Sequence, residues 1–233
     1  MRYRFRLFFA SLVSLMLILF IFVSCIEFYC FNRSFYSYEY ASLDLADEIG
    51  MSESDLYESI DVLLDYLEGH REDIVLTVTV EGEIREVFNE RETLHMADVL
   101  TLYEGVKVLK YVCLGMAIFL LAFLYYDNKH ELGEAMAVAY QKMAILFTFI
   151  LCALLILAYS DFDSFWTTFH EIFFDNDLWL LNPNTSIMIN MLPDTVFYHL
   201  VILIGVSFVV ILVVLFIVSQ KYLKKLEKRL KDA

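Results

Sequence analysis

Apolar residues are not spread evenly along this chain but fall in four long runs, Leu7 to Val23, Val108 to Tyr126, Met143 to Tyr159 and Val196 to Val218. A helix needs roughly 17–25 residues to cross a hydrocarbon core, where every backbone N–H and C=O must be paired within the segment. Four transmembrane helices are therefore predicted. Between the first two runs the pattern changes. Ser52-x-x-Asp55 resembles a capping box, Leu56, Ile60, Leu63, Leu64 and Leu67 follow at helical spacing, and Gly69 supplies a stop, so a helix is expected from about Glu53 to Glu68. Ile74 to Val80 alternates and is β-rich, and Glu81-Gly82 offers a tight turn before Glu83 to Phe88, which predicts a short hairpin. From about Arg91 the helical pattern returns and runs without a breaker into the second span.

The stretch between the last two spans is too aromatic for a solvated linker. Phe162, Phe165, Trp166, Phe169, Phe173 and Phe174 fall at helical spacing, as in a segment lying in the membrane interface with its rings at headgroup depth. Asn182-Pro183 and Pro193 then break the chain around a short apolar piece, Ser186 to Leu192. The expected fold class is an all-α membrane protein, four transmembrane helices with a small α+β extracytoplasmic cap. Its expected divisions are 1–29 (N-terminus and first span), 30–107 (cap), 108–126 (second span), 127–142 (cytoplasmic loop), 143–159 (third span), 160–195 (interfacial outer loop), 196–218 (fourth span) and 219–233 (basic tail).

Charge orients this arrangement. Arg2, Arg4 and Arg6 precede the first span, and Lys221, Lys224, Lys225, Lys228, Arg229 and Lys231 follow the last, so both termini are expected in the cytoplasm. Most of the 31 acidic side chains lie in residues 26–106 and 160–197, the two outer segments. The net charge of −14 is thus an outside charge, which argues against nucleic acid and against an anionic headgroup surface as partner. Lys107 and Lys110 break the rule and are read as snorkelling. Apolar residues make up 60% of the chain, against roughly 45–50% in soluble domains, so lipid is an expected partner throughout. Val23-Ser24-Cys25 loosely suggests lipoprotein processing, but the preceding apolar core exceeds the roughly 7–15 residues of a signal h-region, and an anchored helix is the better reading. Cys25, Cys30, Cys113 and Cys152 lie in or beside spans without ligand spacing and are read as packing residues. No metal and no cofactor is expected, and no phosphate-binding loop is present. A transporter is disfavoured, because the spans carry no ionisable residue near their centres.

His95 and His170 are the candidates for chemistry, both at the boundary between outer segment and bilayer. Glu92 and Asp98 lie three residues to either side of His95, where on a helix they can approach the imidazole and raise its basicity. The alternative is a surface histidine in an acidic loop. His170 has Trp166, Phe173 and Phe174 on its helix face, so burial would lower its pKa while a nearby carboxylate would raise it. Here the alternative is a histidine in an aromatic belt. His70, His130 and His199 are read as structural or incidental. Asp175-Asn176-Asp177-x-Trp179 and Asn182-Pro183-x-Thr185 are equally explained by turn chemistry or by substrate contact.

At these residues the chain resembles the bacterial lipoprotein intramolecular transacylases. The matching blocks are Phe88-Asn89-x-Arg91-Glu92-x-x-His95-Met96-x-Asp98-Val99 and Phe169-His170-x-Ile172-Phe173-Phe174-x-Asn176-Asp177-x-Trp179-x-Leu181-x-Pro183, running on to Met191-Leu192-Pro193. The family commonly has Asp at the positions of Asn182 and Ser186, so no ionised role carries over there. The resemblance implies that the substrate is a diacylglyceryl-modified lipoprotein, whose acyl chain moves from the second glyceryl carbon to the α-amino group of the N-terminal cysteine. It implies that His95 and His170 are the catalytic pair.

Such a reaction suits these residues. One histidine can take a proton from the amine and another can give one to the departing glyceryl oxygen, and no serine or cysteine nucleophile is required. Ring closure through N, Cα, Cβ, S, two glyceryl carbons, O and the acyl carbon is entropically awkward. A confined pocket of Trp166, Phe169, Phe173, Phe174 and Trp179 can hold the folded conformer. Arg91 and Asn176 are candidate oxyanion donors, with Glu92, Asp98 and Asp177 in support. A monomer is expected. The competing class is a non-enzymatic accessory or sensor protein with an acidic cap, for which alanine at either histidine would leave function unchanged.

Overall fold

In the computed structural model, which describes residues 3–232, the chain forms eight helices and one hairpin. Arg2, counted above with the basic N-terminal flank, lies outside the described residues. The elements are α1 (Tyr3–Cys30), α2 (Arg33–Ser42), α3 (Leu45–Ile49), α4 (Glu53–Glu68), β1 (Thr77–Val80), β2 (Glu83–Glu86), α5 (Glu90–Ser160), α6 (Phe162–Phe173), α7 (Ile187–Met191) and α8 (Asp194–Lys231). They divide into two units. One contains the chain up to Glu27, Val106–Ile156 and the chain from Ile202 onward; the other contains Phe28–Gly105 and Leu157–Val201.

In the first unit, α1, α5 and α8 are the helices long and apolar enough to cross a membrane. The second and third apolar runs both belong to α5, which is interrupted at Asn128 (φ −163°, ψ 93°). Residues 127–142, expected as a loop, are helical apart from that residue. Their polarity hid a run of good helix formers, including Glu131, Leu132, Ala135, Met136, Ala137 and Ala139. Asn128 starts the second helical part by accepting the His130 N–H at 3.1 Å.

Small fully buried residues, Ala10, Ala117 and Ala139, allow close helix approach, and Ile18, Phe208 and Leu212 fill a second cluster with Cys25. A Cβ at Gly205 would stand 2.5 Å from Leu155 Cδ2, so a larger residue there must displace that side chain. Large apolar side chains such as Phe119, Phe149 and Val214 face outward in rows, the surface that lipid covers. Arg6 is buried and bonds the carboxylates of Asp127 and Glu131. Lys110, read from the sequence as snorkelling, is instead paired with Glu27.

The second unit carries a continuous core in which Leu56, Ile60, Leu63 and Leu64 of α4 meet Tyr36, Tyr40, Ile74, Val78, Val87 and Met191. Helix α4 has the expected limits. Ser52 Oγ accepts the Asp55 N–H at 3.1 Å, and Gly69 ends the helix in the left-handed region at φ 83°. Helices α2 and α3 gave too few apolar residues at regular spacing to be legible in the sequence. Arg33 fastens α2 to α4 through Asp65 at 2.6 Å and Glu68 at 2.7 Å. The hairpin pairs Val80 with Glu83, and both turn residues, Glu81 and Gly82, have positive φ, the geometry that matches strand twist. Its strands are shorter than expected; Ile74 and Val87 lie outside them and enter the core, with the Val87 N–H still donating to the Leu76 carbonyl oxygen at 2.9 Å. His199, read as structural or incidental, holds the buried Glu39 carboxylate at 2.8 Å through Nδ1.

Candidate active site

The site lies in the second unit and begins at the start of α5. Asn89 caps this helix through a reciprocal pair: its side chain accepts the Glu92 N–H at 3.1 Å, and its own N–H donates to Glu92 Oε2 at 2.7 Å. The other Glu92 oxygen accepts the Ser186 hydroxyl, and Ser186 Oγ in turn accepts the Ile189 N–H at 3.1 Å to cap α7. One hydroxyl therefore joins the starts of α5 and α7. Glu92 is completely buried. Burial raises its carboxyl above the ordinary range, against the hydrogen bonds from Ser186 and from the backbones of Asn89 and Met188.

One turn beyond this anchor stands His95, and His170 comes from the last turn of α6. Both are buried, with ring centroids 5.9 Å apart and planes inclined at 37°. Trp179 stacks on His170 at 4.8 Å, Trp166 meets it edge-on at 4.9 Å, and Phe174 lies 5.3 Å from His95 and 5.7 Å from His170. His170 Nδ1 is 2.8 Å from the Trp166 carbonyl oxygen. A carbonyl only accepts, so Nδ1 carries the proton and Nε2 keeps a lone pair. His95 Nδ1 is buried without a hydrogen bond among the described residues.

Burial lowers the pKa of His95 to about 4; the charge of His170 adds to the fall and Asp98 opposes it. Burial also lowers His170, against the Trp166 hydrogen bond and the charge of Asp194. Both rings are therefore neutral at pH 7. Because the folded values lie below the unfolded value near 6.5, the unfolded chain binds more protons on the acid side. Stability from these groups is complete above that value and is lost as pH falls toward 4. A nitrogen-15 NMR titration of labelled protein is expected to show His95 neutral down to about pH 4; a midpoint near 6.5 would contradict the burial described.

The two histidines share a cavity of about 370 Å³, lined also by Leu63, Met96, Trp166, Phe169, Phe174, Trp179, Met188, Asp194 and Phe197 among others. A smaller hollow of about 260 Å³ near the hairpin, lined by Glu86, Phe88, Glu90 and Leu94 with their neighbours, contains no histidine. Four of the five aromatic residues expected in the pocket line it; Phe173 does not. It packs on Phe169 with ring centroids 4.9 Å apart and stands half exposed, because α6 ends there and the extended backbone of Phe174 turns that ring inward instead.

The polar residues named from the sequence are placed differently from their expected contacts. Glu92 turns to Asn89 and Ser186 and makes no hydrogen bond to His95. Asp98 accepts from Asn176 Nδ2 at 2.8 Å and acts on His95 only through its charge. Asn176 is thereby committed to bracing α5, while its carbonyl accepts the Trp179 indole N–H at 2.9 Å and positions that ring. Arg91 donates to the Asp177 carbonyl oxygen and pairs with its carboxylate at 3.1 Å, while its Nε is buried without a partner among the described residues. These four hold the aromatic loop against the helix that carries His95. Leu63, Met188, Asp194 and Phe197 were missed as lining residues, since nothing in their local spacing distinguishes them from core or helix-start residues. A group near enough to share a metal ion is Asp65, Glu68 and His70; none lines the cavity, and both carboxylates already hold Arg33.

The family model of the lipoprotein intramolecular transacylase Lit matches residues 11–198. The membrane-integral lipoprotein intramolecular transacylase from Bacillus cereus has the same fold, with a TM-score of 0.77 over 97% of this chain and 100% of that one at 17% identity. A histidine-to-alanine mutant of that protein gives 0.71 over 97% and 96% at 17% identity, and a histidine-to-arginine mutant gives 0.69 over 98% and 94% at 18%. No curated protein sequence matches. With both histidine blocks inside the matched residues, the chain belongs to the lipoprotein intramolecular transacylase family and is a membrane acyltransferase.

Proposed function

We propose that this enzyme moves the acyl chain from the second glyceryl carbon of a diacylglyceryl lipoprotein to the α-amino group of its N-terminal cysteine, with His170 as base and His95 as acid. The observation that carries this reading is the pair of neutral imidazoles in one aromatic cavity, with His170 Nε2 left unprotonated by the bond from Nδ1 to Trp166. The amine arrives as an ammonium, since an α-amino group has a pKa of about 7.7–8.0. Its first proton moves to His95, an uphill transfer because that ring's pKa of about 4 lies below the amine's. The neutral nitrogen attacks the ester carbonyl, forming the N–C bond, and passes its second proton to His170 Nε2. As the C–O bond to the glyceryl carbon breaks, His95 gives its proton to the leaving oxygen. Products are an amide and a hydroxyl, and the proton on His170 returns to water. An imidazole held well below its ordinary pKa is a strong acid once charged, which suits protonation of an alkoxide. The rings of Trp166, Phe169, Phe174 and Trp179 restrain the folded substrate and collect the advantage of proximity.

The reading places four spans in the bilayer, with α5 dividing at Asn128 into the second and third, the cap and the active site on the extracytoplasmic face, and both termini in the cytoplasm. The broken helix and the basic flanks support it. It also takes the enzyme to act as a monomer.

Expression in a bacterium lacking N-acylation tests the function. Fragmentation mass spectrometry of a lipoprotein's N-terminal peptide is expected to find one acyl chain on nitrogen and a free hydroxyl on the glyceryl group. A free amine with both ester chains in place would remove the reading.

A further inference from the structure

The cavity presents three ionisable side chains, and the mechanism above uses two. The third is Asp194, the first residue of α8, set just after Pro193. Unlike Glu92 and Asp98, each held by a hydrogen bond, and Asp177, paired with Arg91, Asp194 has no hydrogen-bond or ion-pair partner among the described residues. Its neighbours in the lining are otherwise overwhelmingly apolar. Asp194 is exposed and unpartnered, so its carboxylate is open to a cationic group that enters the cavity. Among side chains, Asp163 repels it and His170 attracts it, and His170 is neutral at pH 7.

We propose that Asp194 is the receptor for the substrate's ammonium: it binds the protonated α-amino group of the lipoprotein's N-terminal cysteine and holds that nitrogen beside His170. The proposal rests on the transacylase reading for the identity of the amine. It adds a basis for selectivity, since a lipopeptide whose nitrogen is already acylated carries no charge and loses this contact. Partial desolvation beside the apolar lining and the charge of Asp163 raise the Asp194 carboxyl, and a bound ammonium would lower it again. The competing role is structural, a carboxylate favouring the positive end of α8, and asparagine serves nearly as well at a helix start.

The test uses the full-length enzyme in detergent with a synthetic diacylglyceryl-cysteinyl peptide, comparing wild type, Asp194→Asn and Asp194→Glu. At pH 7 the Asn variant is expected to raise KM tenfold or more with a smaller change in kcat, as for loss of a charge-assisted contact. That ratio should fall toward one above about pH 9, where the amine is neutral, and the Glu variant should recover much of the loss. A ratio independent of pH, or a change in kcat alone, overturns the proposal. Binding of a non-reacting dialkyl-ether analogue separates the two claims. Wild type should prefer its free-amine form over its N-acetyl form tenfold or more, and the Asn variant should not. Turnover without that preference removes the ammonium receptor and leaves the transacylase. Preference without any N-acylation removes the transacylase and keeps the receptor.

Discussion

His170→Ala is expected to slow N-acylation of a diacylglyceryl lipopeptide by roughly 10²–10⁴-fold, the usual contribution of a positioned general base. His95→Ala should cost a similar factor. The two rings stand 5.9 Å apart in one cavity and are proposed to serve one ester and one amine, so their losses should not add. The double variant should be about as slow as the worse single variant. Each substitution also empties a buried position among aromatic rings, and a fall in rate through unfolding has to be separated from a chemical loss. His170→Gln does this. A glutamine amide can still donate to the Trp166 carbonyl, but it has no basic nitrogen, so the protein should keep its melting temperature and lose its rate. Time courses by mass spectrometry on protein of verified melting temperature give the answer. Rates within threefold of wild type for both alanine variants would end the histidine mechanism.

The readability of this fold in its sequence followed the physics of each element. The apolar runs within α1, α5 and α8 were legible because a helix able to cross a membrane is long and almost free of polar residues, and α4 was legible because Ser52, the leucine stripe and Gly69 each act within a few residues. Residues 127–142 were misread because polarity does not separate a loop from a solvated helix; only the backbone shows that the break is a single residue, Asn128. At the site, the two histidine blocks were legible as sequence and the aromatic pocket nearly so. What could not be read was partnership across the chain. Glu92 lies three residues from His95, which suggested a carboxylate on an imidazole, yet its partner is Ser186, 94 positions away. Asn176 was a candidate oxyanion donor until Asp98, 78 positions away, claimed its amide. Asp194 showed nothing locally but an acid after a proline. Helical spacing proposes neighbours within one element, whereas an active site is assembled from several.

Glu92→Ala should be the most damaging substitution outside the histidines. Glu92 is completely buried and accepts from the Asn89 N–H and the Ser186 hydroxyl, with the Met188 backbone also bonded to it. Alanine leaves those donors buried without acceptors, at about 1–3 kcal/mol for each group left unsatisfied. It also removes the brace that fixes the first turn of α5, and His95 stands one turn further on. Loss of several kcal/mol of stability and a large fall in transfer rate are expected together. Ser186→Ala should cost less, because Glu92 keeps its bond to Asn89. If the hydroxyl is the link, a double-mutant cycle in thermal or chemical denaturation should show a coupling of about 0.5–3 kcal/mol. The pH dependence gives a second check. A carboxyl raised in the fold contributes stability that is present below the unfolded value of 4.5 and is lost as pH rises through the higher folded value. Wild-type stability should therefore decline across that interval, and Glu92→Gln, which cannot ionise, should flatten the decline. Additive single variants together with an unchanged pH profile would mean that Glu92 and Ser186 do not act as a unit, and that something else holds His95 in place.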